Sequence, residues 1–281
     1  AARALQVTQA SDINSQFVIN RQNARSALTA EEDALAGVGD LLQDIRTMTL
    51  SAGNATISDS DRMSFASALR GQFDQMMGLA NTTDGTGKYI FSGYQTGTPA
   101  FVKVAGGAQY QGDQGQRVLQ VDTARQLPIS DSGDTIFNNI KSGNGTFETV
   151  ATAGNAGSGV VSLGSVLNPA ALTNHNYSVN FSVVAGVTTY DIVDTTVGLP
   201  ALSTGNAYVS GQSINFGGIQ FDVSGAPANG DSFTVQPSTN QSIFETLDDL
   251  ITLLQTPTSN AAGRTALTAG LAKATGDIDK S

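Results

Sequence analysis

Apolar residues recur every seven positions near the start of the chain. One row holds Leu28, Leu35 and Leu42, and a second row, offset by three, holds Val38, Ile45 and Ala52. A sustained seven-residue repeat is typical of a helix that packs along other helices. The pattern predicts one long helix that ends near Gly53. Upstream of residue 27 the two rows contain polar residues, so we expect that part to be helical mainly when a partner covers it.

Helical spacing returns in three later stretches. The segment Ser58-Asp-Ser-Asp61 supplies capping oxygens and acidic groups for the start of a second helix. A third helix is expected after Thr239, with a stop at Pro257 and a restart that continues towards the end of the chain. We call the apolar positions expected to pack together the predicted seam. It comprises Leu28, Leu35, Val38, Leu42, Ile45, Leu69, Phe73, Met76, Phe244, Leu247, Ile251, Leu254, Leu267 and Leu271.

The middle of the chain has a different pattern. Short alternating runs are separated by Gly, Asn, Asp and Pro, which predicts strands and turns. The clearest hairpin joins the runs 177–184 and 187–193 through Ala185-Gly186.

Together these elements predict an α+β fold. We expect an elongated antiparallel helical bundle, or coiled-coil rod, formed by N- and C-terminal helices and carrying an inserted, mainly antiparallel β domain. The expected boundaries are a rod portion at 1–96, a β-rich insertion at 97–238 and returning helices at 239–281. A β-hairpin corner is expected at about 84–95.

The corner is the most informative segment, Asn81-Thr-Thr-Asp-Gly-Thr-Gly-Lys-Tyr-Ile-Phe-Ser-Gly93. Glycines permit backbone conformations that end a helix and turn the chain, and the aromatic and β-branched residues after them suit an opening strand. The residues that carry this pattern are Asn81, Gly85, Gly87, Tyr89, Phe91 and Gly93.

This corner, together with the run Leu41 to Asn54 and Ser58 to Arg62, resembles the flagellar hook-associated protein 3 family. The resemblance covers roughly residues 30–101 and resumes at about 217–254. In the second stretch, Gly225-Ala-Pro-Ala-Asn-Gly-Asp-Ser-Phe233 resembles a sequence segment that recurs in flagellar axial proteins.

The resemblance implies a structural role at the junction between the flagellar hook and the filament. The implied partners are the first hook-associated protein, flagellin, neighbouring copies of the chain and a flagellar export chaperone. The implied location is extracellular, on the bacterial flagellum, after export without a cleaved signal. It also implies that the terminal inner-core segments of the family are missing here, so we expect this chain to be monomeric in solution.

Composition narrows the remaining possibilities. With 14 Lys+Arg against 24 Asp+Glu, the net charge of −10 disfavours binding to nucleic acid or to anionic membranes. The absence of cysteine excludes disulfides and thiolate chemistry. No apolar run approaches the roughly 18 residues that span a bilayer.

Candidate chemistry is sparse. The single histidine, His175, lies between two asparagines in a predicted loop. The segment Asp84-Gly-Thr-Gly-Lys88 lacks the first glycine of a phosphate-binding loop, and Tyr89 replaces its Ser or Thr. Asp59 and Asp61 lack the glycine and glutamate that an EF-hand loop would place after them. We therefore predict no enzymatic activity, no cofactor and no metal site.

Two alternatives remain open. The chain could be a flagellin, which would be the bulk component of sheared filaments, whereas a junction protein would be a trace component. The β region could instead be an adhesive or glycan-binding module, which binding of residues 97–238 to a glycan array would support.

Overall fold

The computed structural model describes residues 2–54, 56–198, 200–259 and 261–281. Its helices are α1 (Ala2–Ala52), α2 (Asp59–Ala80), α3 (Gly133–Phe137), α4 (Ile243–Gln255) and α5 (Ala261–Ile278), with a 3-10 turn at Pro169–Ala171. The strands are β1 (Phe101–Val104), β2 (Gly107–Tyr110), β3 (Val118–Asp122), β4 (Arg125–Pro128), β5 (Ile140–Lys141), β6 (Phe147–Ala151), β7 (Val160–Val161), β8 (Ser165–Val166), β9 (Tyr177–Val184), β10 (Val187–Asp194), β11 (Ser203–Ala207), β12 (Ser213–Phe216), β13 (Ile219–Ser224), β14 (Ser232–Pro237) and β15 (Asn240–Gln241). The predicted α+β class is confirmed.

The chain divides into two compact units. Unit 1 consists of Ala1–Asp44 and Gly71–Asn139, and unit 2 consists of Ile45–Arg70 and Ile140–Ser281. This division differs from the boundaries expected at residues 97 and 238. Residues 97–139 belong with the helical residues of unit 1, and the rest of the expected β insertion shares unit 2 with α4 and α5.

In unit 1, α1 and α2 pack closely. A Cβ atom added to Gly37 in α1 would lie 3.1 Å from the side chain of Leu79 in α2, so that leucine would have to shift to admit a larger residue. In this unit the buried residues of α1 include one row with a seven-residue spacing, Ala24, Glu31 and Val38. A second buried row contains Ala34 and Leu41, which lie three residues after Glu31 and Val38.

The burial of residues in α1 differs from part of the predicted seam. Leu28 is 38% exposed, and the second buried row runs through Leu41 rather than through Leu28 and Leu35. Leu35 is partly buried. The buried row includes Glu31, which an apolar pattern does not select.

The remaining seam positions differ in their burial. Leu267 is partly buried. The positions with at most 9% exposure are Val38, Leu42, Ile45, Leu69, Phe73, Met76, Phe244, Leu247, Ile251, Leu254 and Leu271.

The non-helical part of unit 1 contains the hairpins β1–β2 and β3–β4, followed by α3. Its core is aromatic. Phe137 makes edge-to-face contacts with Phe91 and Phe101 at centroid distances of 5.5 and 5.4 Å. Tyr110 lies 5.2 Å from Phe101. Such pairs favour one packing arrangement over others, beyond the area that they bury.

The corner does not contain the predicted hairpin. Between residues 84 and 95 the described backbone forms turns and bends, and the only β pairing there is an isolated bridge between Thr83 and Tyr89. The predicted opening strand at Tyr89–Phe91 is therefore wrong, because the backbone N–H groups of Tyr89 and Ile90 donate to the carbonyls of Thr96 and Thr82 while the chain turns.

Unit 2 contains two main antiparallel sheets. The first has the order β11-β10-β9-β14-β6, and the second has the order β12-β13-β7 with β8 also paired to β13. The predicted hairpin is confirmed, since Val184 pairs with Val187 across Ala185 and Gly186, both of which have positive φ. The two sheets share a core composed of Phe147, Tyr177, Val179, Phe181, Ile192, Ile214, Ile219, Phe221, Val223, Phe233 and Val235.

The helical residues of unit 2 come from both of its segments, Ile45–Arg70 and Ile140–Ser281. Arg46 of α1 forms an ion pair of 2.6 Å with Asp279, just beyond α5. Arg62 of α2 donates to the Thr258 hydroxyl. In the α4–α5 pair, Leu253 packs against Gly270, where an added Cβ would lie 2.5 Å from the leucine side chain.

Candidate functional site

The corner begins where Asn81 follows the end of α2. Its side-chain amide donates to the Phe101 carbonyl, and its side-chain oxygen accepts from the Phe101 backbone N–H, both at 2.9 Å. This reciprocal pair resembles one rung of a β-ladder and holds the start of β1 against the end of α2.

The tip of the corner is a turn organised by Asp84. Its carboxylate accepts from the backbone N–H and hydroxyl of Thr86 and from the backbone N–H of Lys88, at 2.7 to 3.0 Å. Burial raises the pKa of the Asp84 carboxyl, but these hydrogen bonds together hold that pKa below its ordinary value. Gly87 has φ of +80° and open space around its Cα, whereas no positive φ is found at Gly85.

The base of the corner is tightly packed around Gly93. This residue has φ of +66°, and an added Cβ would lie 2.2 Å from the Asp113 carboxylate. That carboxylate accepts from the backbone N–H groups of Tyr94 and Gly115 at 2.9 and 2.8 Å. The Ser92 hydroxyl donates to the Thr98 carbonyl at 2.7 Å.

The six predicted corner residues therefore fall into two groups. Phe91 and Gly93 are buried, and Asn81 and Tyr89 are partly buried, whereas Gly85 and Gly87 are exposed at the turn. The hydrogen bonds of the corner join its own residues to the end of α2, to the 96–116 segment and, through the Phe91 carbonyl, to the Gly133 backbone N–H. This geometry favours a role in shaping unit 1 over a role as a binding surface.

Sequence reasoning missed a set of polar contacts between α1 and the 117–131 segment. Asn20 and Arg21 donate to the carbonyls of Gln120 and Val121 at 2.6 and 2.9 Å. Glu31, which is 5% exposed, accepts from the backbone N–H of Asp131 at 2.9 Å. No local signal identifies these residues, because each partner is a backbone group 100 positions away.

Burial is the main cause of a raised pKa at Glu31. The hydrogen bond from the Asp131 backbone and the charge of Arg117 lower the pKa, while the charge of Asp131 raises it. The net direction is upward, so the folded chain favours the protonated form of Glu31.

The first half of α1 is the main uncovered helical surface of unit 1. Every side chain from Arg3 to Gln16 is exposed. The large apolar side chains that are exposed on this helix are Leu5, Val7, Ile13, Val18, Ile19, Leu28 and Leu50.

His175 lies in a structured loop of unit 2. Its Nδ1 atom is 2.7 Å from the Asp194 carboxylate, which also accepts from the backbone N–H groups of Thr196 and Val197. Burial opposes ionisation of Asp194, but the hydrogen bonds from His175 and the two backbone groups lower its pKa. Within the described residues, no three His, Cys, Asp or Glu side chains are grouped so that they could hold a metal ion. Of the described helices, none is sufficiently long and apolar to cross a membrane.

Comparison with known proteins first defines a class. Residues 1–96 match a family model described as the bacterial flagellin N-terminal helical region. This stretch includes α1, α2 and the corner, so these three elements are similar to the N-terminal region of a flagellin.

Two crystal structures match nearly the whole chain. FlgL from Xanthomonas campestris is 32% identical with a TM-score of 0.89, and the match covers 97% of this chain and 87% of that one. The flagellar junction protein FlgL from Legionella pneumophila is 32% identical with a TM-score of 0.87, over 99% of this chain and 87% of that one. The chain therefore belongs to the flagellar hook-associated protein 3 family, also called FlgL.

A curated relative matches a smaller part. Flagellar hook-associated protein 3 of Salmonella typhimurium is 42% identical over 142 residues, which is 50% of this chain and 44% of that protein. The aligned part thus spans less than half the length of this relative.

Proposed function

We propose that the chain is a structural component of the bacterial flagellum that joins the hook to the flagellin filament. The observation that carries this proposal is the match of both units, over 99% of the chain, to a solved protein described as a flagellar junction protein. The corner supports it, because the segment Asn81 to Gly93 lies within residues 1–96, which match the flagellin N-terminal helical region.

The partners in this proposal are the first hook-associated protein on one side, flagellin on the other and neighbouring copies of the chain. A flagellar export chaperone would bind the chain before secretion, and the working location would be extracellular. The role is architectural and involves no catalytic step. We expect the chain by itself to be monomeric at micromolar concentration, because Asn14 and Arg21 interrupt the apolar rows of α1.

Deleting the gene in a flagellated host provides the test. The expected result is flagellin secreted into the medium from cells whose hooks carry no filament, with filaments restored when the gene is supplied again. Filaments of normal length on the deletion strain would overturn the proposal.

The flagellin and adhesin alternatives have less support. The crystal structures that match nearly the whole chain at more than 30% identity are FlgL proteins. For the adhesin reading we find only the loop-rich character of the β region.

A further inference from the structure

The sequence contains two Asn-Gly pairs, Asn144-Gly145 and Asn229-Gly230. Asparagine is a thermolabile residue, and glycine after it leaves the backbone free to bend towards the side-chain amide. In deamidation the glycine nitrogen attacks the asparagine Cγ atom, an N–Cγ bond forms, the Cγ–Nδ2 bond breaks, and ammonia leaves with the proton of the glycine N–H. Water then opens the cyclic succinimide at one of its two carbonyls and gives aspartate or isoaspartate. Because both pairs are Asn-Gly, a large difference in their reactivity has to come from the fold.

The Asn144 side chain is held on both of its polar atoms. Its Oδ1 atom accepts from the backbone N–H groups of Thr146 and Phe147, both at 3.0 Å. Its Nδ2 atom donates to the carbonyls of Leu163 and Gly164 at 3.3 and 3.2 Å. A carboxylate in this place would face two carbonyl oxygens with no hydrogen to share, so the fold opposes the product as well as the attack.

The backbone around Asn144 is fixed as well. The Gly145 N–H, which carries the attacking nitrogen, donates to the Ser142 carbonyl at 3.1 Å. The Lys280 ammonium donates to the Gly143 carbonyl, just before Asn144. Bringing the Gly145 nitrogen to the Cγ atom therefore disrupts several hydrogen bonds at once.

Asn229 lies in an exposed turn and is held by fewer bonds. Its Oδ1 atom accepts from the Val183 backbone N–H at 3.0 Å and, at 3.5 Å, from the Ser182 hydroxyl. The side chain makes no other hydrogen bond within the described residues, so the Nδ2 atom is left to solvent. The Gly230 N–H donates to the Phe181 carbonyl at 3.0 Å. Opening this turn costs fewer bonds than opening the turn at Asn144, and an aspartate at position 229 can still accept from Val183.

We propose that Asn229 is a deamidation site of the folded chain and that Asn144 is protected until unit 2 unfolds. The reaction adds a negative charge to the turn between β13 and β14. Isoaspartate also lengthens the backbone of this turn by one carbon atom. The turn is tied to β9, since the Phe181 N–H donates to the Asp231 carbonyl at 2.8 Å, so isoaspartate should loosen that tie. This inference is independent of the proposed junction role.

Peptide mapping by mass spectrometry measures both reactions in the same sample. The chain is incubated at mildly alkaline pH, once in buffer and once in guanidinium chloride at a concentration where circular dichroism shows it to be unfolded. In buffer, Asn229 should lose its amide at least about tenfold faster than Asn144, because fewer hydrogen bonds have to open. In denaturant the two rates should agree within about threefold, since the folded contacts are gone. Asn229→Gln is the matched control, and it should abolish the signal at position 229 without changing Asn144.

Lys280→Met then tests the cause of the protection at Asn144. It removes the bond to the Gly143 carbonyl, and circular dichroism verifies that the variant is folded. Amide loss at Asn144 should rise by about threefold or more, whereas the rate at Asn229 should not change. An unchanged rate at Asn144 would show that the bonds of its turn do not protect it.

Three results of the peptide mapping would overturn the inference as a whole. The first is equal rates at the two positions of the folded chain, or a faster rate at Asn144. The second is an unreactive Asn229 in buffer over a period in which both positions react in denaturant. The third is a tenfold difference that persists in denaturant, because it would then belong to the sequence and not to the fold.

Discussion

Substitution of Gly93 by alanine is expected to destabilise unit 1 through two separable effects. The first is backbone strain, since φ is +66° at this position. The second is crowding, since the new Cβ would lie 2.2 Å from the carboxylate oxygen and 2.4 Å from the carbonyl oxygen of Asp113. Neither oxygen can move freely, because the carboxylate accepts from the Tyr94 and Gly115 backbone N–H groups and the carbonyl accepts from the Tyr110 hydroxyl at 2.7 Å.

The magnitude follows from three contributions. A residue with a Cβ in the left-handed region costs about 1–2 kcal/mol. Insertion of an atom into a packed site costs about 1–3 kcal/mol. Alanine also leaves the unfolded chain less conformational freedom than glycine does, and this reduces the loss of stability by about 0.4–1 kcal/mol. The sum is a loss of about 1–5 kcal/mol against a typical folding free energy of about 5–15 kcal/mol.

Gly87→Ala is the matched control. Gly87 has φ of +80°, but no atom lies within 4 Å of an added Cβ, so this variant carries the backbone strain without the crowding. The difference between the two variants isolates the crowding contribution and should be about 1–3 kcal/mol.

Urea unfolding followed by circular dichroism measures the two losses. Hydrogen exchange followed by mass spectrometry shows which segment is destabilised. Faster exchange is expected in peptides from residues 98–137 of the Gly93→Ala variant and not of the Gly87→Ala variant. Equal stability of the two alanine variants would refute the reasoning, because it would mean that the corner is not packed around Asp113.

Three further predictions concern buried groups. Glu31→Gln removes a carboxyl group that is more easily protonated in the folded chain than in the unfolded chain. The stability of the wild type relative to this variant should therefore rise as pH falls from neutral through the folded-state pKa of Glu31, and level off below the ordinary glutamate pKa. Urea titrations across pH that show the opposite trend would contradict the burial argument. Leu42→Asp should cost several kcal/mol whereas Leu28→Asp should cost about 0.5 kcal/mol or less, and similar melting of the two variants would place both leucines in water. Lys273→Met removes the ion-pair partner of Glu148, whose side chain is 8% exposed, while Asp277 keeps Lys280 at 2.8 Å; the variant should cost about 3 kcal/mol. Lys103→Met, at an exposed ion pair, should cost at most about 1 kcal/mol in the same unfolding assay, and equal losses would argue against a buried network.

Local patterns were sufficient for the long helices and for the clearest hairpin. The seven-residue repeat predicted α1, the Ser58 and Asp61 capping pair marked the start of α2, and Ser58 and Asp61 do bond each other reciprocally. Alternation and a two-residue turn located β9 and β10. In each case the determining interactions lie within a few residues along the chain.

Long-range contacts explain what could not be predicted. The buried row of α1 includes Ala24 and Glu31, and Glu31 binds a backbone N–H 100 residues away. The strand expected at Tyr89–Phe91 is absent, and the buried Phe91 packs against Phe137, a residue far along the chain. The likeness of the corner to a family was therefore more informative than its local conformational preferences.

The location and copy number of the chain test the central claim most directly. Quantitative mass spectrometry would compare intact hook–filament complexes with filaments sheared away from their hooks. The junction role predicts a small number of copies per flagellum that remain with the hook-proximal fraction and are nearly absent from sheared filaments. Recovery of the chain along the whole filament in amounts comparable to flagellin, or its absence from the complexes, would contradict the account.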